Sequence, residues 1–410
     1  MQCPNYKGSM SNNNIVISSL KKIKSRLKQL VRKYNAVVYP IIKEPKKFFE
    51  VVAVVKKESW EKAYYAECYG HNKEQQLEVL SPEDIIFKIK DGIVIEGSDV
   101  LVTEQGVYWG KYNQEEFTTF LIPLDDNVIW YNRDYIKLDK FESVEYVSGR
   151  VLPLIGHDAH HWVHSIYEFL PRLFSAGEAR ILETPITILV IENIDHNIDE
   201  IINRYLINFP AAKIKKVKDK VAYKCEELYF QPVVGPSCSG YKFRLDYPWY
   251  IPRYIVDQVN RYIVEPVIER VNTKTTSFDK IFLGRSSKFT KNARTLLNYD
   301  EVHDFFLSKG FVDIEGSTLT LEEKANIFYH AKEIVALIGS SNMNIAFCNQ
   351  AKCMVLGNYR FATEPVIYPF IREKASSYVY VTGQDESSEF HSSYYIPLDK
   401  IKKVYQERMA

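Results

Sequence analysis

Residues 333–348 read Glu333-Ile334-Val335-Ala336-Leu337-Ile338-Gly339-Ser340-Ser341-Asn342-Met343-Asn344-Ile345-Ala346-Phe347-Cys348. Ile334–Ile338 is an unbroken apolar run of the kind that fills a strand buried on both faces. Small residues stop it at Gly339, and Asn342–Cys348 resumes as a helix. A buried strand that ends on a glycine turn and feeds a helix is one unit of an open parallel sheet. Small residues there let phosphate oxygens reach backbone N–H groups, and a helix N-terminus adds partial positive charge. Gly339, Ser340, Ser341 and Asn342 are therefore candidate contacts of a diphosphate. The plainer alternative is that Ser340 or Ser341 only caps the helix.

Outward from this unit the alternation continues. Lys280–Leu283, Phe311–Ile314 and Cys353–Leu356 predict strands, and Asp300–Lys309 and Leu321–Ala331 predict helices. That is a doubly wound α/β pattern. Upstream, Ile186–Ile191 and Glu227–Val234 predict strands and Asp195–Asn208 a helix, which suggests a second parallel sheet. Residues 35–150 read as mostly β, with an apolar run at Val51–Val55 and alternation over Ile85–Trp109. Pro236–Pro252, rich in Pro, Gly and Ser, reads as a crossing, followed by a helix over Arg253–Val271. A chain of 410 residues exceeds the roughly 250–300 at which one core stops growing. The expected division is a tail and basic helix over 1–34, domains over 35–248 and 249–396, and a closing helix over 397–410.

Hydrophobic residues make up 46%, charged residues 26%, and the net charge is +1, which describes an ordinary globular protein and removes the electrostatic case for a nucleic-acid partner. The six cysteines (Cys3, Cys68, Cys225, Cys238, Cys348 and Cys353) form no C-x-x-C pair and are expected as reduced thiols of a cytoplasmic protein. No stretch reaches the roughly 18 consecutive apolar residues of a membrane span, and no signal-peptide core is expected at the N-terminus. In residues 18–34, Leu20, Ile23, Leu27, Leu30, Val31 and Tyr34 share one helical face, and the opposite face is basic without an acid. Such a helix suits an anionic membrane surface, or docking on its own domain or a partner chain. The expected location is cytoplasmic, peripheral on the inner face of the cell membrane.

Four of the nine histidines (His157, His160, His161 and His164) fall within eight residues, and Glu168 follows. His160, His164 and Glu168 are four apart in turn, which predicts one helix face. A carboxylate that orients an imidazole equips it to take a proton from a hydroxyl. The same face could ligate a metal, or serve only as hydrogen-bonded polar surface. Pro171 interrupts the pattern and should bend the helix. Gly284-Arg285 ends a predicted strand, and Arg294 follows a basic stretch with Lys288 and Lys291. Ligands sit at the carboxyl edge of such sheets, and arginine grips a diphosphate through paired hydrogen bonds. There is no D-x-D; the nearest carboxylates are Asp313-Ile314-Glu315 and Asp125-Asp126. Without carboxylates to hold a divalent ion, arginines and a helix dipole must stabilise a diphosphate leaving group.

These residues resemble glycosyltransferase family 61, which includes plant xylosyl- and arabinosyltransferases, animal O-linked N-acetylglucosaminyltransferases and bacterial polysaccharide enzymes. The first motif stands as His164-Ser165-Ile166-Tyr167-Glu168-Phe169-Leu170-Pro171-Arg172-Leu173. Arg285, Arg294 and Asn298 with Asp300 occupy the second, and Gly310-Phe311, Ala331 and Gly339–Asn344 the third. The resemblance covers about residues 90–405. One departure is Ile338, where the family often has His, with Ser340-Ser341 in place of small Ala or Gly residues. The resemblance implies a GT-B fold, with two Rossmann-like domains facing a cleft and extra β-structure in the N-terminal half. It also implies an inverting reaction with no metal and no cofactor.

The expectation is that domain 249–396 holds a nucleotide-sugar donor, UDP-linked, near Arg285, Arg294 and Gly339–Asn342. Domain 35–248 takes the acceptor, a carbohydrate or lipid-linked glycan of capsule, lipopolysaccharide or exopolysaccharide synthesis. His164 or Glu168 takes the acceptor proton; His160, His161 and Lys288 are secondary candidates. The rival readings are a zinc hydrolase using His160, His164 and Glu168, and a non-catalytic carbohydrate-binding scaffold, which Ile338 keeps open.

Overall fold

The computed structural model describes residues 36–81, 83–109, 127–132, 134–141, 143–218, 221–232, 250–271, 277–284, 294–362, 366–387 and 392–409. The expected basic helix 18–34, Asp125-Asp126, most of the crossing 236–252, Arg285, Lys288 and Lys291 lie outside the described residues.

The region expected to be mostly β supplies β1 (Val37–Pro40), β2 (Glu50–Lys56), β3 (Ser59–Tyr65), β4 (Gln75–Ser81), β5 (Asp84–Ile95), β6 (Val100–Thr103), β7 (Gly106–Trp109), β8 (Val128–Tyr131), β9 (Tyr135–Leu138) and β10 (Val144–Pro153). Helix α1 (residues 162–178) follows, then β11 (Ile186–Ile191), α2 (His196–Leu206), β12 (Ala212–Val217) and β13 (Ala222–Phe230). Strands β10 to β13 pair in parallel, in the order β12-β11-β10-β13. The antiparallel β5 extends this sheet beyond β13 and leads to β6 and β7, while β2 also pairs with β5. Counted along the chain, the parallel order is third, second, first, fourth, as in half of a Rossmann sheet; the connections reverse direction between β10 and β13.

The second half opens with α3, which runs as Arg253–Val259, a π turn over Asn260–Val264, and Glu265–Ile268. Then come β14 (Lys280–Leu283), α4 (Tyr299–Ser308), β15 (Val312–Ile314), α5 (Leu321–His330), β16 (Glu333–Leu337), β17 (Lys352–Gly357), α6 (Tyr368–Ile371), β18 (Ser377–Thr382), the short pair β19 (Gln384–Asp385) and β20 (Tyr394–Tyr395), and α7 (Leu398–Arg408). Strands β14 to β18 are all parallel, in the order β15-β14-β16-β17-β18, with the reversal between β14 and β16. The doubly wound pattern read from the sequence is thus present. One continuous apolar core serves both sheets. It joins Leu152, Ile188 and Val190 to Leu173 and Phe174 of α1, Val256 and Val259 of α3, and Ile281, Ile334 and Leu356 of the second sheet.

The β3–β4 hairpin falls within the expected 35–248 domain yet lies against the second sheet. The stretch after β3 runs beside β18: the Tyr380 N–H donates to Glu67 O (2.8 Å), and the Tyr69 N–H donates to Tyr380 O (2.9 Å). Arg372 stacks on the Tyr64 ring at 3.9 Å and donates to Glu74 at 2.8 Å, while Arg408 donates to Glu67 at 2.6 Å.

Helix α1 departs from its expected form in two ways. It was expected from about His160, but it starts as Trp162–His164. Asp158 takes a left-handed conformation (φ 65°) and His161 an extended one, so His157–His161 form a turn. The expected face of His160, His164 and Glu168 is therefore not formed. The helix then widens into a π turn over Ser165–Phe169 before continuing as Leu170–Glu178. Pro171 has no N–H for the carbonyl four residues back, and the Leu170 N–H donates instead to Ser165 O. In α3 the π turn Asn260–Val264 precedes Glu265-Pro266 in the same register, from the same cause.

Leu356 is fully buried on β17, between β16 and β18 of the second sheet. Leu356→Ala should cost about 2–5 kcal/mol, read as a lower urea midpoint at unchanged slope; a loss under about 1 kcal/mol would contradict this packing.

Candidate active site

Strand β10 ends at the reversal point of the first sheet, and its chain runs through Gly156 into the histidine turn. Gly156 is required there, because a Cβ would lie 2.7 Å from both Asp99 Oδ1 and the Phe169 ring. The His157 N–H donates to Asp99 Oδ1 at 3.3 Å. Asp158 sits among the imidazoles. Its carboxylate lies 3.3 Å from His157 Nε2, 3.4 Å from His161 Nε2 and 3.8 Å from His164 Nε2. The His160 and His161 rings are 3.9 Å apart. Partial burial first, and then His160, push the His161 imidazole down to about 4, so it is neutral at neutral pH.

His164 belongs to α1, and its Nδ1 is 2.9 Å from Glu168 Oε1. The Tyr167 hydroxyl is 3.2 Å from the same nitrogen. Glu168 is buried at 4% exposure, within the π turn. With the Nδ1 proton donated to this carboxylate, Nε2 carries the lone pair and faces Asp158; the tautomer follows from the hydrogen-bond network. A buried carboxylate behind an imidazole holds the ring in place and stabilises the imidazolium formed when Nε2 takes a proton.

Arg172, one turn on, is also buried. Burial lowers its pKa, and the carboxylates of Asp99, Glu168 and Asp84 oppose that shift. Its guanidinium faces the rings of Phe169 (4.8 Å) and Phe230 (5.7 Å). Asp84, fully enclosed, accepts from the Tyr254 hydroxyl and Gln231 Nε2. Burial nevertheless pushes its carboxyl up to about 7.

In the second sheet, Gly339 is extended and opens a helix over Ser340–Phe347. This is a 3-10 helix rather than the α-helix expected over Asn342–Cys348. Asn342 is wholly buried, and neither its amide nitrogen nor its amide oxygen has a hydrogen-bond partner among the described residues. The turn after β15 closes on this helix: a Cβ on Gly316 would lie 3.1 Å from Asn344 Nδ2 and 3.8 Å from Ser341 Cβ. Ile338 is a core residue at 2% exposure, so its apolar character has a packing reason. The start of α1 packs directly on Ser340–Phe347, and Lys324 of α5 lies 4.4 Å over the Trp162 ring. The turns at the two reversal points therefore meet.

Arg294 stacks on Phe361 at 4.6 Å, beyond the end of β17 on the same carboxyl edge. Asn298 donates to Ile396 O (2.9 Å) and Glu301 (3.0 Å), which anchors the start of α4. Of the expected site residues, His164 pairs with Glu168 and lies on the helix that packs against Ser340–Phe347, while His160 and His161 flank Asp158. Asp158, Asp99, Trp162 and Lys324 were not singled out from the sequence. Asp158 lies inside the histidine run, so its position was the available signal.

Residues 162–355 match the family described as Glycosyltransferase 61. Over this stretch, just under half of the chain, the protein is similar to glycosyltransferase family 61. The match begins at the first residue of α1 and ends within β17, so it takes in both the His164–Glu168 pair and the Gly339–Asn342 turn. It supports glycosyltransferase activity, and with it a nucleotide-sugar donor and a glycan acceptor as general substrate classes. No curated protein matches the chain.

Asp84 carries a pH signature. Its unfolded carboxyl ionises near 3.8 and its folded one near 7, so the stability it lends is complete below 3.8 and is lost as pH rises through 7. Urea unfolding at pH of about 5 and about 8 should show the wild type losing stability relative to Asp84→Asn. Equal pH dependence in both proteins would contradict the raised value.

Proposed function

We propose that this protein is an inverting, metal-independent glycosyltransferase of the GT-B arrangement. The observation that carries the reading is the His164 Nδ1–Glu168 Oε1 contact of 2.9 Å, on a helix packed against the turn after β16. A four-stranded parallel block in the first sheet and the all-parallel second sheet, with the start of α1 packed on Ser340–Phe347, support the two-domain arrangement.

The donor, a nucleotide sugar of the UDP class, lies with its diphosphate at the N–H groups of Gly339–Ser341, at the Asn342 side chain, and at Arg285 and Arg294; the Asn342 N–H already donates to Gly339 O at 3.0 Å. The acceptor hydroxyl approaches His164 Nε2, which takes its proton while Glu168 holds the ring. The acceptor oxygen forms its bond to the anomeric carbon as the carbon–phosphate oxygen bond breaks. The bonding pair leaves with the diphosphate, and attack from the far face inverts the configuration. Backbone N–H groups and arginines aimed at the leaving oxygens supply the stabilisation that a cation would otherwise give. The acceptor is a carbohydrate or lipid-linked glycan of bacterial capsule, lipopolysaccharide or exopolysaccharide synthesis. The basic segment 18–34 holds the protein on the inner face of the membrane beside such acceptors.

The hydrolase reading loses its ligand set, because His160 is off the helix and Glu168 already engages His164 Nδ1.

The test is nucleoside diphosphate release from a panel of nucleotide sugars, with and without a chelator. Release should survive chelation, fall in Arg285→Ala, and drop at least about 100-fold in Glu168→Gln. Near-normal turnover in Glu168→Gln would remove the pair from the chemistry. Separately, deletion of residues 1–34 should move the protein from the membrane to the soluble fraction; unchanged fractionation would refute the surface role.

A further inference from the structure

The turn between β10 and α1 holds more coordinating chemistry than a single base requires. Glu168 accounts for His164. The remaining residues, His157, Asp158, His160 and His161, have no part in the proton transfer, yet one nitrogen or oxygen from each of Asp158, His160 and His161 lies within 4.8 Å of the others. We infer that Asp158, His160 and His161 bind one divalent transition-metal ion of the zinc class, and that the bound ion blocks the acceptor approach to His164.

The donor set selects the class of ion. Two imidazoles and one carboxylate suit zinc, cobalt or nickel; magnesium and calcium favour oxygen ligands. Zinc bonds to nitrogen and oxygen of about 2.0–2.2 Å put tetrahedral ligand atoms roughly 3.4 Å apart, so closure on an ion needs about 1 Å of movement. His160 and His161 are exposed rings on a turn and can rotate that far. Asp158 is presented by its left-handed backbone at the centre of the group, with His157 Nε2 3.3 Å away for a fourth position. The ligands come from one turn of chain, so the site needs no movement between the sheets.

The consequence for activity comes from position. Asp158 Oδ2 is 3.8 Å from His164 Nε2, the side on which the acceptor hydroxyl must arrive. An ion on Asp158, with its remaining water ligand, fills that space. The ion is thus an inhibitor rather than a cofactor. This second half rests on the proposed transferase reading; the binding half does not.

The experiment uses the full chain, stripped with a chelator and dialysed. Cobalt(II) is titrated with its visible absorption recorded, and zinc competition is followed by calorimetry. Wild type is compared with His160→Ala, His161→Ala and the exposed control His71→Ala, with circular dichroism confirming that each is folded. The expected result is one ion per chain in wild type and control, and affinity at least about tenfold lower in both turn variants. Absent stoichiometric binding, or affinity unchanged in the turn variants, overturns the site. In the release assay, wild-type turnover should fall in step with zinc occupancy and that of His160→Ala should not. Occupancy without loss of turnover overturns the blocking role and leaves the site standing. A wild type that releases nothing from any donor overturns the transferase reading and the blocking role with it, and the cobalt titration still decides the site.

Discussion

Pro171 has no N–H to offer the carbonyl of Tyr167, and α1 accommodates this with a π turn over Ser165–Phe169. The wider turn carries Glu168 into the interior while His164, before it, stays half-buried. The residues that follow return to α-helical spacing with Leu170, Leu173 and Phe174 in the core shared by both sheets. Arg172 is drawn inward with them. One missing donor thus sets the depth of the carboxylate, the exposure of the imidazole and the anchoring of the helix that joins the sheets.

A guanidinium placed there cannot stand alone. Removing an ion from water costs several kcal/mol, and the cost is recovered only with opposite charge close by. Asp99, Glu168 and Asp84 act on Arg172. Asp99 also receives the His157 N–H at the head of the histidine turn, so the buried cation, the Glu168 carboxylate and the turn form one electrostatic unit. Asp84 is the outlying member: burial wins over its hydrogen bonds and keeps its carboxyl near 7, while the Tyr254 and Gln231 contacts tie it to α3 and the end of β13.

How much of this was legible differs by element, for physical reasons. Strands buried on both faces read as apolar runs, and Lys280–Leu283 and Ile186–Ile191 were placed to the residue. The histidine face was misplaced because helix periodicity was extended through a turn. His161 begins α1 without a side-chain cap, so no Ser, Thr or Asp marked the start, and a left-handed Asp158 leaves no trace in spacing. The hairpin beside β18 was invisible for a different reason. Its pairing is between backbone groups some 300 positions apart, and backbone hydrogen bonds carry no side-chain signature. The meeting of the two reversal points follows from packing of the sheets, which one chain's local pattern does not contain.

The turn after β16 shows how far a serine-cap reading falls short. Ser340 and Ser341 make no side-chain cap at Gly339, and the helix they open is a 3-10 helix of poorer hydrogen-bond geometry than the α-helix expected. Asn342 is buried with both amide atoms lacking protein partners among the described residues. Each such atom costs about 1–3 kcal/mol while unsatisfied. An apolar side chain of similar size would avoid that cost if the position served packing alone. An amide earns its place where a polar ligand supplies the missing donor and acceptor. Packing alone therefore does not account for Asn342, and Gly316 lets the turn after β15 come close to Asn344, where a Cβ would lie 3.1 Å from its Nδ2.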